Sequence, residues 1–286
     1  MSNKKSQIIA IGGGGFGRNP NHRLIEQYII DQTGIDNPNI CFIPTASAED
    51  KSYIVNYYKA FSKLNCKPTH LNFFERTPNL RSILNKQDII YVGGGNTKSM
   101  LAVWREWKLD ILLKKLYDKG KVFCGVSAGS ICWYKQGITD SWASNLSILD
   151  CLGFIEEVNC PHYYGEKDRQ PSVHNFVDQD KIKSCYASED GSALHYKDGK
   201  LIGSIAFYKN AKSYFIHKKS NKIVEEVVKG IDITKLATFD IEYLFLNVRS
   251  KSVGETVEVN LTCPDDGTTQ VVQSIDIDSI KIKKDR

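Results

Sequence analysis

Short apolar runs recur along the first half of the chain, and each is closed by glycine or a polar turn. Gln7–Ile11, Ile40–Pro44, Thr69–Phe73, Asp88–Val92 and Val122–Val126 have the length and content of buried strands. Between them lie segments suited to helices: Arg23–Gln32, Ser52–Leu64, Asn79–Asn85, Lys98–Trp107 and Leu109–Lys119. Strands alternating with helices predict an α/β fold, a doubly wound domain with a largely parallel sheet. Ligands in such sheets bind beyond the strand carboxyl ends, so the loops there are where chemistry is expected.

After Val126 the pattern predicts a buried helix over Ser130–Tyr134, a loop at Gly137–Ser141 and a helix around Val173–Asp180. Strands are expected at Lys183–Ala187, from Ala193 onward, at Leu201–Ala206 and at Ser213–His217. From about Asp240 the character changes. Val257, Val259 and Leu261 alternate with polar residues, a turn follows at Pro264–Gly267, and Val271-Val272 lie beyond it. That is a β-hairpin signal. Two units follow, an α/β domain over 1–238 and a small C-terminal β appendage over 239–286. The appendage could close the sheet edge or meet a partner subunit in a homodimer.

Composition narrows the class. The 286 residues are 41% apolar and 25% charged, ample for a sizeable core. The net charge of +5 comes from mostly scattered basic residues, which gives nucleic-acid binding little support. No run approaches the roughly 18 apolar residues of a membrane span. The start, Met1–Lys5, leads straight into a strand without a signal-peptide core. Eight cysteines include no C-x-x-C pair, and several sit in apolar runs, so reduced buried thiols are expected. A soluble cytoplasmic protein is the expectation.

The candidate chemistry centres on Gly125-Val126-Ser127-Ala128-Gly129, a match to the G-x-S-x-G nucleophile elbow. A sharp strand-to-helix turn holds the serine in a strained conformation, and the flanking glycines let neighbouring chain pass close by. The Ala128 N–H then points from an incipient helix N-terminus, where negative charge is favoured. Gly93–Thr97 follows the preceding strand, and the Gly94 or Gly95 N–H would complement Ala128 in an oxyanion hole. Gly12, Gly14 and Gly17 satisfy G-x-G-x-x-G, but Asn19-Pro20-Asn21 separates them from the next helix. The second strand also runs into Pro44-Thr45 where a dinucleotide site wants an acid, so no cofactor is expected.

A serine nucleophile needs a base, and the base needs an acceptor that fixes its tautomer. His162, in Cys160-Pro161-His162, is placed as a loop base. Glu189 and Asp190 stand at a strand end, and Asp140 lies soon after the elbow. Chemistry alone does not rank these three acids.

Four segments in this order resemble the serine peptidases of the dipeptidase E (aspartyl dipeptidase) and cyanophycinase group. They are Gly93–Thr97, G-V-S-A-G-S at 125–130, C-P-H at 160–162 and S-E-D-G-S at 188–192. The resemblance spans roughly residues 7 to 235. It implies a class I glutamine amidotransferase-like fold, Ser127 as nucleophile, His162 as base and Glu189 as acid, with Asp140 and Asp190 as alternatives. It further implies a small peptide substrate, an acyl-enzyme, no metal and no cofactor. Asn96 and Arg169 would bind substrate, Arg169 by facing an acidic first residue. Two other readings are carried forward: an α/β-hydrolase esterase using His195 or His217, and a non-catalytic protein gripping a nucleotide or other anion at Gly12–Gly17.

Overall fold

Four of the apolar runs form the parallel interior of an eight-stranded sheet; the fifth parallel strand is the half-exposed Lys67–His70 at its edge, where the sequence predicts Thr69–Phe73. The computed structural model describes residues 5–142, 145–235, 256–262 and 270–276. Its first elements are β1 (Gln7–Ile11), α1 (Leu24–Asp31), β2 (Asn39–Ile43), α2 (Lys51–Phe61), β3 (Lys67–His70) and α3 (Leu80–Leu84). Next come β4 (Ile89–Val92), α4 (Thr97–Glu106), α5 (Leu109–Tyr117), β5 (Val122–Val126) and α6 (Ala128–Ile131). They are followed by β6 (Tyr134–Thr139), β7 (Ser147–Asp150), β8 (Ile155–Cys160), α7 (Arg169–Asp178) and β9 (Ser184–Ser188). The series closes with β10 (Ser192–Lys197), β11 (Lys200–Ala206), β12 (Ser213–Lys219), β13 (Lys222–Val227) and β14 (Gly230–Asp232).

The first sheet runs β14-β11-β10-β1-β5-β4-β2-β3. Neighbours from β1 to β3 are all parallel, while β10 is antiparallel to β1 and β11 to β10. Both faces are covered, as the alternating side chains require. Ile8, Ala10, Cys41, Ile43, Ile90 and Val92 pack with Met100, Leu101 and Trp104 of α4 and with the leucines of α5. Their sequence neighbours point the other way. There Phe16 meets Phe42, Phe61 and Tyr91, and Phe42 stacks on Tyr57 of α2 at 4.9 Å between ring centroids.

A second, six-stranded sheet runs β13-β12-β9-β8-β6-β7, with α7 packed on it through Val173 and Val177. It corrects the sequence expectation near the elbow. The helix expected over Ser130–Tyr134 ends at Ile131, and the loop expected at Gly137–Ser141 lies largely within β6. Gln136–Thr139 is held by β7 on one side, and Gln136 and Gly137 pair with β8 on the other. Gly137 is small for packing rather than for turning: a Cβ there would lie 2.7 Å from Ile131 Cβ. No local pattern encodes that strand, because its partners come from later in the chain.

The chain divides into two units, Met1–Lys235 and Leu236–Arg286. In the second, β15 (Thr256–Thr262) and β16 (Gln270–Asp276) form an antiparallel pair with Val259 opposite Gln273. The turn expected at Pro264–Gly267 lies outside the described residues. Among the described residues, no helix is long and apolar enough to cross a membrane. The seven described cysteines are free thiols.

Candidate active site

Strand β5 delivers Ser127 into a backbone conformation that a side chain rarely adopts, φ 58° and ψ −113°. Such a residue costs about 1–3 kcal/mol and persists only where its surroundings impose it. The packing does so here. A Cβ on Gly125 would lie 2.3 Å from the Gly129 carbonyl oxygen, and one on Gly129 would lie 2.1 Å from the Val92 carbonyl oxygen. Any larger residue at either place would push the elbow off β4, which is why the motif needs both glycines.

His162, after β8, also has positive φ, 54°. Its N–H donates to the Gly12 carbonyl at 3.2 Å, which fixes the ring over the first glycine loop. The imidazole spans two partners. Nε2 lies 2.9 Å from Ser127 Oγ, and Nδ1 lies 2.5 Å from Asp190 Oδ1. The nucleophile therefore comes from the first sheet, the base from the loop after β8 of the second, and the acid from the turn that joins β9 of the second sheet to β10 of the first.

The acid facing His162 is Asp190, not the Glu189 that the resemblance implies. Neighbouring side chains on extended chain point to opposite sides, so only one of the two can face the imidazole. Glu189 turns toward β12, where Oε1 accepts from Tyr214 Oη at 2.6 Å and Oε2 from the Lys212 N–H at 3.0 Å. Asp190 is bridged to Gly13, whose missing Cβ makes room for it: a Cβ there would lie 1.9 Å from Asp190 Oδ1. Burial would raise the Asp190 carboxyl, but the bond and charge of His162, with the guanidinium of Arg18, hold it below the usual range. It is thus ionised at neutral pH.

Asp140 lies elsewhere, two-thirds exposed and 3.4 Å from Arg169. Arg169 does not face Ser127 either. Its side chain is buried, with Nε on Glu166 at 2.7 Å and Nη1 on the Ile138 carbonyl at 3.1 Å, so it fastens α7 to β6. Asn96 caps α4: its Oδ1 accepts from the Ser99 N–H at 2.9 Å and its Nδ2 donates to the Ser141 carbonyl at 3.1 Å. Each end of the amide is thus already held by the protein. Gly94 stands directly beside the nucleophile, where a Cβ would lie 3.3 Å from Ser127 Cβ, whereas Gly95 lies against the Ala46 carbonyl. Ala128 opens α6, so its N–H is one of the first-turn amides that no intrahelical carbonyl reaches. His195 is buried between Tyr28 and Gln7, and His217 faces Glu226, so neither takes the place of His162.

The glycines read as G-x-G-x-x-G serve this arrangement. Gly12 and Gly13 carry the backbone past Ser188–Asp190, and Gly14 and Gly17 line a cleft of about 370 Å³ in front of Ser127. The cleft also holds Arg18, Asp50, Tyr53 and His162. Sequence reasoning missed Arg18, which pairs with the outer oxygen of Asp190. Its place directly after the glycine run is a signal that could have found it. Among the described residues, no group of three or more His, Cys, Asp or Glu side chains could hold a metal ion.

Glu26 was also missed. It is fully buried beneath the glycine loop, with Oε1 accepting from the Phe16 N–H at 2.7 Å. Burial pushes its carboxyl up to about 7, against backbone hydrogen bonds and the charge of Arg23 that lower it. A group whose folded value exceeds its unfolded one favours folding at low pH, so stability falls as pH rises from about 4.5 to about 7. Glu26→Gln keeps the acceptor and removes the buried charge. Urea unfolding should find the variant more stable than the parent at pH 8, by up to about 3 kcal/mol, and the gain should vanish near pH 4. An equal gain at both pH values would mean that the carboxyl titrates alike in the folded and unfolded chain, so that burial does not raise it.

Comparison with known proteins adds an independent line. Peptidase family S51 matches residues 8–203, and a second description, T4 bacteriophage base plate protein, matches residues 200–286. The chain is 43% identical over 220 residues to the uncharacterized peptidase YgaJ of Bacillus subtilis, covering 77% of this chain and 95% of that protein. It is 25% identical over 208 residues to peptidase E of Haemophilus influenzae, covering 67% and 88%. Among solved structures, a peptidase from an acI-B1 actinobacterium shares the fold at a TM-score of 0.58 and 14% identity, covering 78% of this chain and 96% of that one.

Proposed function

This chain belongs to peptidase family S51 and is a peptidase, and from that premise we propose that it hydrolyses small peptides through Ser127, His162 and Asp190. The observation that carries this reading is the continuous bridge from Ser127 Oγ through the imidazole to Asp190. Ser127 Oγ attacks the peptide carbonyl carbon as its proton passes to His162 Nε2, and the carbonyl electron pair moves onto oxygen. The Gly94 and Ala128 N–H groups hold that oxyanion. Collapse expels the amine, which takes the proton from His162 and leaves an acyl-enzyme on Ser127. Water, deprotonated by His162, then attacks the ester and frees Ser127. Asp190 keeps Nδ1 protonated and offsets the positive charge of the imidazolium.

The cleft's size and its two charges support a small charged peptide as substrate. Its cation is Arg18 rather than Arg169, and Asp50 supplies an anion that could face a free amino terminus. If acidic first residues are preferred, Arg18 reads them. Turnover of Asp-X and Ala-X dipeptides should therefore favour Asp-X, and Arg18→Ala should cut that preference about fivefold to tenfold, the scale of a half-exposed ion pair. An unchanged ratio would remove Arg18 from substrate recognition. Hydrolysis of no peptide in a broad dipeptide and blocked-peptide set would count against the proposed substrate class.

A further inference from the structure

Tyr53 stands where the resting site has a hydrogen bond that catalysis must rearrange. It lies in the first turn of α2, with its N–H capped by Asp50 Oδ1 at 2.7 Å. Its ring is wedged against Phe16 and Phe42, at 5.2 and 5.1 Å between centroids. Two glycines are open to it: a Cβ on Gly17 would lie 2.6 Å from the Tyr53 ring, and one on Gly93 would lie 3.0 Å from it. So held, the ring projects its hydroxyl into the cleft that contains Ser127 and His162. The Gly94 N–H donates to that hydroxyl at 3.4 Å, a long bond. Among the described residues the hydroxyl's own proton has no acceptor.

The same Gly94 N–H is the oxyanion donor of the proposed mechanism, so the phenol and the developing oxyanion converge on one spot. We infer that Tyr53 is a third oxyanion-binding group, its O–H donating to the tetrahedral oxygen beside the Gly94 and Ala128 N–H groups. This rests on the serine-peptidase reading above. The phenol keeps its proton throughout: Ser127 Oγ forms the new bond to carbon, its proton goes to His162, and Tyr53 contributes only a hydrogen bond. Burial pushes the Tyr53 phenol up to about 12, so it stays neutral and able to donate across the physiological range. A bond made to the oxyanion but not to the planar carbonyl accelerates the chemical step without tightening substrate binding.

Fluorophosphonate labelling tests this, because its tetrahedral adduct on Ser127 places a phosphoryl oxygen in the same hole. The second-order labelling rate of the full chain should fall roughly 10²-fold in Tyr53→Phe, the typical loss of one oxyanion donor. The melting midpoint should stay within a few degrees, since no core contact is lost. On a turned-over dipeptide, kcat should fall by a similar factor with KM little changed. Tyr53→His, which retains a ring N–H donor, should label faster than Tyr53→Phe and serves if the phenylalanine variant folds poorly. Labelling of Tyr53→Phe as fast as the parent overturns the inference. Faster labelling also overturns it, by making the phenol an obstruction over the Gly94 N–H. A parent chain that is never labelled sinks the serine-peptidase reading itself, a result distinct from either.

Discussion

Ser127→Ala should abolish fluorophosphonate labelling and lower peptide turnover by on the order of 10⁶, the loss seen when a triad nucleophile is removed. The effect is large because the remaining groups have nothing to activate: His162 Nε2 loses its acceptor-donor partner at 2.9 Å, and among the described residues no other hydroxyl is bonded to it. The fold should tolerate the change and even gain from it. Alanine retains Cβ at φ 58°, so strain at the elbow persists, but the half-buried hydroxyl no longer has to be satisfied. Intact-mass spectrometry after probe treatment reads the result directly. Persistent labelling of the alanine variant would move the nucleophile to another residue.

Asp190→Asn should lower turnover about 10⁴-fold while leaving the cleft geometry in place, because an amide can donate to Nδ1 and so present the wrong tautomer to Ser127. Glu189→Gln provides the contrast. Its carboxylate is bonded to Tyr214 and to the Lys212 N–H, so turnover should fall only a few-fold, with the loss appearing as reduced stability of the β9–β12 region. Parallel kcat/KM measurements on one turned-over dipeptide decide between the two acids. A larger loss in Glu189→Gln than in Asp190→Asn would reverse the assignment. The Asp190 carboxyl lies below its ordinary range, so turnover should not be limited by its protonation at neutral pH.

Several parts of this site are legible in the sequence. The elbow glycines announce themselves because steric exclusion around a bent strand admits nothing larger, and the contacts at Gly125 and Gly129 are of that kind. The four interior parallel strands are equally readable, since chain buried on both faces must be apolar in unbroken runs, whereas the polar edge strand begins at Lys67, two residues before the expected Thr69. The cap at Asn96 illustrates the opposite case. An asparagine before a helix is a strong capping signal, whereas the family resemblance implies a substrate contact there. Only the bonds to Ser99 and Ser141 show both ends of the amide to be occupied.

Local pattern by itself determined the α/β architecture and the serine at the bend, because each depends on backbone geometry within a few residues, whereas the histidine after β8 is held in place by the distant Gly12 carbonyl. Tertiary structure alone decided which of two adjacent acids meets the imidazole and which arginine lines the cleft. A shift of one residue along extended chain turns a side chain to the other face, and that parity is set by pairing with Gly13, far away in sequence. In the same way Arg18 lines the cleft, while Arg169 is kept out of it by its bond to the Ile138 carbonyl of β6, a contact that no stretch of neighbouring residues records.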